Sequence, residues 1–220
     1  MTRALRSGAR GPAAGRATGL VVFLHGYGAD GADLLELAEP LMPHLPGTRF
    51  LSPDAPEPCR AGGFGRQWFP IPWIDGSSEA EAGEGLLRAA DDLGAWLAEQ
   101  RADCALPASA MALVGFSQGA MMALHVAPRA DAPVAGVVAI AGRLLAPDRL
   151  AAEARSFPPV LLIHGDMDEV VPFADMARAG TALAAAGFDV AAQTMRGTGH
   201  GIAPDGLGAA LAFLKARLPG

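Results

Sequence analysis

Features that mark several other classes of protein are scarce in this sequence. Only two of the 220 residues are cysteines, Cys59 and Cys104, and they form no Cys-x-x-Cys pair. Two cysteines are too few for a disulfide framework and give no sign of a metal site, so we expect neither. The net charge is −6 and no basic stripe is present, so we also expect no nucleic-acid partner.

Signals for export or membrane insertion are missing as well. Arg3, Arg6 and Arg10 are followed by glycine and proline rather than by the apolar core of a secretory signal. The apolar run Leu20–Leu24 is too short to cross a membrane. We therefore expect a cytoplasmic protein without a transmembrane segment.

Short apolar runs alternate with longer amphipathic ones along the whole chain. This alternation predicts an α/β fold in which helices cover a mostly parallel central sheet. Strands are predicted at Leu20–Leu24, Arg49–Leu51, Met111–Val114, Val134–Ile140, Val160–Ile163 and Val190–Met195. Helices are predicted near Gly31–Met42, Ser78–Gln100, Gln118–Val126, Phe173–Ala186 and Pro204–Leu218, the third of them ending at Pro128.

No repeat or linker divides the chain, so we expect a single domain over residues 1–220. Residues 1–18 contain three glycines and one proline, and we expect them to form edge strands or a loop. The connection between the strands predicted at 134–140 and 160–163 spans only about 19 residues. This leaves no room for a cap domain, so we expect an open site.

Residues 53–77 predict a long loop beside the functional site. This segment contains five prolines and four large aromatic residues. Loops of this length in compact domains are usually functional or disordered, and its aromatic content argues against disorder. We expect it to form one wall of an apolar binding site.

The motif Gly115-Phe116-Ser117-Gln118-Gly119 lies between a predicted buried strand and a predicted helix. A serine at the tip of such a sharp turn is the nucleophile elbow of the α/β-hydrolases. Glycine two residues away on either side leaves room for the close backbone approach that this turn requires. Ser117 is therefore the predicted nucleophile.

A serine nucleophile needs a base, and the base needs an orienting carboxylate. In this fold they follow in the order serine, acid, histidine, at the carboxyl ends of strands. His200 follows the last predicted strand in a glycine-rich loop and is the predicted base. Asp168 is the predicted acid, with Asp166 and Glu169 as rivals. We expect the other histidines to have structural roles: His25 and His164 brace loops, His44 lies in a surface turn, and His125 is a partly buried helix residue.

Two backbone N–H groups are predicted to bind the developing oxyanion. One belongs to Gln118, which directly follows the nucleophile. The other is assigned to Tyr27, in the glycine-rich turn after the first buried strand.

Five motifs of this chain resemble one family of hydrolases. They are Leu24-His25-Gly26-Tyr27-Gly28, Arg66-Gln67-Trp68-Phe69, Gly115–Gly119, His164–Pro172 and Gly199-His200. Together they look like the carboxylesterase/phospholipase family that includes the acyl-protein thioesterases. The resemblance implies a Ser117-His200-Asp168 triad, an oxyanion hole at Tyr27 and Gln118, and cleavage of carboxylic esters without a cofactor or metal. It also implies that lysophospholipids or acyl thioesters are conceivable substrates.

The resemblance places Gln67 and Trp68 on the family's loop beside the acyl site. Trp68, Phe69, Val171, Met121 and Ile202 are candidates for an apolar wall of the substrate site. Acyl-protein thioesterases often have leucine after the His-Gly pair, where this chain has Tyr27.

The alternative function is that of a non-catalytic or ligand-sensing protein of the same fold. A ligand-sensing receptor would need a mobile cap over its ligand. A degenerate, non-catalytic scaffold would lack a member of the triad. Neither description fits this sequence. An exposed apolar rim at an uncapped site could serve a homodimer, a lipid aggregate or an acylated protein.

Overall fold

The computed structural model describes residues 2–219. The centre of the protein is a seven-stranded sheet. All neighbouring strands in it are parallel except the first and third strands of the chain, which pair antiparallel at one edge. The spatial order is β1-β3-β2-β6-β7-β8-β9. The strands are β1 (Ser7–Arg10), β2 (Gly19–Leu24), β3 (Thr48–Pro53), β6 (Met111–Phe116), β7 (Gly136–Ile140), β8 (Val160–Gly165) and β9 (Val190–Met195), and a separate two-stranded hairpin is formed by β4 (Glu57–Pro58) and β5 (Arg66–Gln67). The mostly parallel α/β architecture predicted from the sequence is confirmed.

Burial follows from where each strand lies in the sheet. The central strand β2 is buried at all six positions, because helices cover both faces of a parallel sheet. The edge strand β9 leaves Ala191 and Ala192 exposed. The strand predicted within residues 1–18 is β1, and its antiparallel pairing with β3 closes the other edge.

Two apolar layers hold the helices against the sheet. One contains Leu93 and Leu97, and the other contains Leu34 and Leu214. The helices are α1 (Gly31–Leu35), α2 (Ala38–Leu41), α3 (Pro72–Asp75), α4 (Glu79–Asp103), α5 (Gln118–Arg129), α6 (Pro147–Glu153), α7 (Ala174–Ala185) and α8 (Pro204–Arg217). The helix predicted over residues 31–42 is therefore two short helices rather than one.

Helix α5 does not end at Pro128 as the sequence predicted. It continues to Arg129 with the proline inside its last turn. A proline near the end of a helix removes only one backbone hydrogen bond, and burial of Pro128 and Ala127 against the rest of the protein holds the turn in place.

The segment 53–77 is more ordered than a plain loop. It contains the β4–β5 hairpin and the single turn of α3. Phe64 lies fully exposed near the hairpin turn, whereas Trp68 and Phe69 are buried. The connection between β7 and β8 contains only the short helix α6, so this fold has no cap domain. No helix within residues 2–219 is both long and apolar enough to cross a membrane.

Candidate active site

The turn between β6 and α5 holds Ser117 in a strained backbone conformation. Its φ is 53° and its ψ is −115°, a combination that residues with a Cβ rarely adopt. A Cβ added at Gly115 would overlap the carbonyl group of Gly119, and one added at Gly119 would overlap the carbonyl oxygen of Leu24. The two glycines of the motif are therefore required by the close approach of the backbone, as the sequence predicted.

The structure brings the three predicted catalytic side chains into one hydrogen-bonded chain. His200 Nε2 lies 3.0 Å from Ser117 Oγ, and His200 Nδ1 lies 2.7 Å from Asp168 Oδ2. His200 follows Ser117 by 83 positions and Asp168 by 32 positions in the sequence. The arrangement has the nucleophile–base–carboxylate geometry that serine hydrolysis requires.

Asp168 is fixed in its position by the backbone that follows it. Its Oδ1 accepts hydrogen bonds from the N–H groups of Val170 and Val171, both at 2.9 Å. Burial alone would raise the pKa of Asp168, but the hydrogen bonds from His200, Val171 and Val170 outweigh it and lower the pKa below its usual value. The carboxylate is therefore ionised at neutral pH, as an orienting partner of a histidine must be.

The rival acid, Asp166, has a different position. Its Oδ1 accepts a hydrogen bond of 2.7 Å from the Gly197 N–H, which ties the loop after β8 to the loop that carries His200. The side chain is exposed, and Asp168 rather than Asp166 meets the imidazole.

His25 and His164 are buried and bonded to the backbone, which agrees with the bracing role predicted for them. His25 Nε2 accepts a hydrogen bond from the Ala55 N–H, so its Nδ1 carries the proton and donates to the Gly26 carbonyl at 2.8 Å. His164 Nε2 lies 3.0 Å from the Val171 carbonyl oxygen and also 3.1 Å from Asp168 Oδ2, so His164 contacts the candidate acid as well as the backbone.

The predicted oxyanion donors flank Ser117. A Cβ added at Gly26 would lie only 3.3 Å from Ser117 Cβ, so the turn that carries Tyr27 packs directly against the nucleophile. Gln118 is the first residue of α5, where backbone N–H groups have no partner inside the helix and the helix dipole favours negative charge. Within residues 2–219 neither the Tyr27 nor the Gln118 N–H has an acceptor.

The side chain of Gln118 forms hydrogen bonds with segment 53–77 that the sequence did not predict. Its Oε1 accepts a hydrogen bond from the Trp68 N–H at 2.9 Å, and its Nε2 donates to the Phe69 carbonyl at 2.7 Å. The Trp68 indole N–H in turn donates to the His25 carbonyl at 2.9 Å. Trp68 thereby links the two loops that carry the predicted oxyanion donors.

The five residues predicted to bind substrate differ in their access to the site. Gln67 and Trp68 are fully buried, and Gln67 Oε1 accepts a hydrogen bond from the Arg60 N–H. Phe69 and Val171 are also buried, and Ile202 is half-buried two residues after His200. Met121, which was also a candidate for this wall, is buried within α5. Two apolar side chains close to Asp168 in the sequence, those of Met167 and Val170, are exposed.

The Tyr27 hydroxyl anchors the predicted oxyanion turn to segment 53–77. It donates to Asp75 Oδ2 at 3.1 Å and accepts from the Ala61 N–H at 3.2 Å. Burial and hydrogen bonds with the Cys59 and Asp75 side chains raise the pKa of Tyr27, so the phenol stays protonated.

Among residues 2–219, histidine, cysteine, aspartate and glutamate form no cluster of three or more that could hold a metal ion.

The parallel sheet and the serine turn between β6 and α5 define an α/β-hydrolase fold. The family model described as phospholipase/carboxylesterase matches residues 12–218, and the chain belongs to that family of hydrolases.

Relatives with known names agree with this assignment. Acyl-protein thioesterase 1 of Neurospora crassa is 30% identical over 226 aligned positions, covering 94% of this chain and 90% of that protein. Esterase YpfH of Escherichia coli is 28% identical, covering 91% and 83%. The crystal structure of esterase PE8 matches with a TM-score of 0.92 and 41% identity, covering 98% of this chain and 100% of that one. The structure of Zea mays acyl-protein thioesterase 2 matches with a TM-score of 0.75 and 26% identity, covering 97% and 99%.

The link made by Trp68 can be tested with a Trp68→Phe variant. Phenylalanine removes the indole N–H and leaves the buried His25 carbonyl without its donor, which costs about 1–3 kcal/mol of stability. We expect kcat for ester hydrolysis to fall about tenfold with KM nearly unchanged, because displacing a predicted oxyanion donor would act on the transition state.

A Trp96→Phe variant is the matched control for this experiment. Trp96 is buried to a similar extent on α4, away from the serine turn. It should lose stability without a specific loss of kcat. Equal kcat in the two variants would show that Trp68 supports the fold only.

Proposed function

We propose that this protein is a serine hydrolase that cleaves carboxylic esters through the triad Ser117, His200 and Asp168. The observation that carries the proposal is the continuous hydrogen-bonded path from Ser117 Oγ through the imidazole to Asp168. The membership in the phospholipase/carboxylesterase family supports it.

The proposed reaction has two halves. His200 Nε2 takes the hydroxyl proton as Ser117 Oγ attacks the ester carbonyl, and Asp168 stabilises the imidazolium that forms. The Tyr27 and Gln118 N–H groups bind the oxyanion of the tetrahedral intermediate. His200 then gives its proton to the departing alcohol, which leaves the acyl group on Ser117. Water, activated by His200 in the same way, hydrolyses this acyl-enzyme.

We assign short- to medium-chain acyl esters as the substrate class, with Phe69, Val171 and Ile202 closest to the acyl group. Gln67 and Trp68 support the site from behind, since both side chains are fully buried. The names of the relatives support ester and thioester chemistry, and lysophospholipids and acyl thioesters require the same attack on a carbonyl carbon.

Hydrolysis of p-nitrophenyl esters from acetyl to palmitoyl tests this assignment. We expect kcat/KM to be highest for chains of about four to eight carbons, because each methylene that becomes buried contributes about 0.8 kcal/mol until the site is full. The measurement is kcat/KM against chain length, with activity on acyl thioesters and lysophospholipids compared under the same conditions.

Two outcomes would change the proposal. A maximum at palmitoyl would assign lipid or acylated-protein substrates instead. Absence of hydrolysis at every chain length by the intact protein would favour the non-catalytic, ligand-sensing alternative.

A further inference from the structure

A cavity of about 500 Å³ lies between α4 and α5, away from the candidate active site. His125 lines it, and this residue follows Ser117 by eight positions, about 12 Å along the axis of α5. Met111, the first residue of β6, also lines it, whereas Ser117 follows the last residue of that strand. The cavity therefore faces the amino-terminal edge of the sheet, opposite to the triad.

A buried polar group without a partner lies in the wall of this cavity. His125 is only 6% exposed, and its Nδ1 makes no hydrogen bond within the described chain. Burial and the nearby positive charge of Arg129 lower the pKa of His125 to about 4, so the imidazole is neutral at physiological pH. An unpaired buried nitrogen is unfavourable, and a bound polar group that reaches the ring would relieve this cost.

The wall also carries a positive charge that is not neutralised. Arg129 and Arg155 line the cavity but are paired with Glu153 and Asp131. Arg101 lines it too, and no acidic side chain in the part of the chain described here pairs with it. The other charged residue of α4 in the cavity wall, Asp91, lies ten residues earlier, about 15 Å along the helix.

The remaining wall is largely apolar and includes Leu97, Leu113 and Val134. The volume lies within the range of about 300–1,000 Å³ that small-molecule sites occupy, and such sites combine an apolar lining with a few polar groups. An elongated apolar tail with a single anionic head matches both parts of this wall.

We propose that this cavity is a second ligand site, which binds a carboxylic acid with an apolar tail of medium length. Arg101 binds the carboxylate and the imidazole of His125 provides a further polar contact, while the tail packs against Leu87, Leu97 and Val134. The proposal does not depend on the activity of the triad, because none of the predicted catalytic residues lines the cavity.

Two glycines of α4 allow a matched test. A Cβ added at Gly94 or at Gly83 would meet no atom within 4 Å, so a leucine at either position should be accepted by the helix. Gly94 lines the cavity and Gly83 does not. Gly94→Leu should therefore fill the cavity, and Gly83→Leu should leave it open.

Sodium octanoate is titrated into the protein while backbone amide chemical shifts are followed by NMR. We expect saturable shifts at Ala98, Val126 and Ala132, which line the cavity. Gly94→Leu should abolish these shifts and Gly83→Leu should retain them with the same Kd. Ester hydrolysis by both variants, measured in parallel, should match the parent protein because the cavity is remote from Ser117.

The charge contribution is tested separately. Arg101→Gln should raise Kd for octanoate about tenfold, since a charge-assisted contact is lost. Arg88→Gln, on the same helix but outside the cavity lining, should have no effect. Octan-1-ol should bind more weakly than octanoate and be insensitive to Arg101→Gln. Shifts confined to residues near the triad, such as Gly199 and Ile202, or an unchanged Kd in Gly94→Leu would overturn the proposal.

Discussion

Ester hydrolysis should fall by about 10⁴- to 10⁶-fold in kcat/KM when Ser117 is replaced by alanine. The replacement removes the only atom that forms the acyl-enzyme, while the oxyanion donors and the substrate site stay in place. The loss should therefore appear in kcat, with substrate binding largely retained.

Ser117 should also limit stability, because its backbone is strained. Conformations of this kind cost about 1–3 kcal/mol in residues with a Cβ, and glycine adopts them far more readily. Ser117→Gly should therefore raise the free energy of unfolding by about 1 kcal/mol relative to Ser117→Ala, with both variants inactive.

Chemical denaturation of the parent protein and both variants measures the predicted difference in stability. Initial rates of the same three proteins on a p-nitrophenyl ester measure the predicted loss of activity. The parent activity must be shown to be free of contaminating esterase. Activity that persists in Ser117→Ala after this control would remove Ser117 from the mechanism. Equal stability of the glycine and alanine variants would show that the turn is not strained.

Replacement of Asp168 by asparagine should lower kcat by about 10⁴-fold. An asparagine oxygen can still accept the hydrogen bonds from Val170 and Val171, so the loop should keep its shape. The amide nitrogen would face His200 Nδ1 and favour the tautomer that carries its proton on Nε2. That tautomer cannot accept the proton of Ser117.

Asp166→Asn is the matched control, because the two acids are two residues apart and follow the same strand. Asparagine retains an oxygen that can accept the Gly197 N–H, so kcat should stay within about threefold of the parent value. Steady-state kinetics of both variants decides between the acids. A large loss in Asp166→Asn with little loss in Asp168→Asn would reverse the assignment.

Local patterns were sufficient to predict much of the architecture and the sharp turn that carries the candidate nucleophile. The alternation of apolar runs with amphipathic ones predicted the strands of the main sheet apart from the edge strand β1, because burial on both faces leaves a continuous apolar stretch in the sequence. The Gly115–Gly119 motif predicted the serine turn, because its steric requirements lie within five consecutive residues. The order of serine, acid and histidine is the one that α/β-hydrolases use, and chain direction in a parallel sheet places all three at the carboxyl ends of strands.

Details of the helices and connections depended on contacts that lie beyond any local window. Helix α5 extends past Pro128 because its last turn is buried. The β4–β5 hairpin of segment 53–77 is held by a distant part of the chain, because Arg66 exchanges backbone hydrogen bonds with Gly28 and Ala29. Neither result follows from the helix or strand propensity of the residues involved, since packing and hydrogen bonds with distant segments of the chain override that propensity.

The sequence alone was enough to predict the fold class, the serine at the strand-to-helix turn and the two short segments that contain the acid and the base. It also favoured Asp168 over Asp166, but the contact of Asp168 with His200 is visible only in the folded chain, because direction and distance distinguish two acids on one loop. The position of Trp68 behind the candidate site could not be predicted, since its partners Gln118 and His25 lie 50 and 43 positions away. Chain direction and periodicity are local properties, whereas burial and hydrogen-bond partners are fixed by whichever distant segments pack against a side chain.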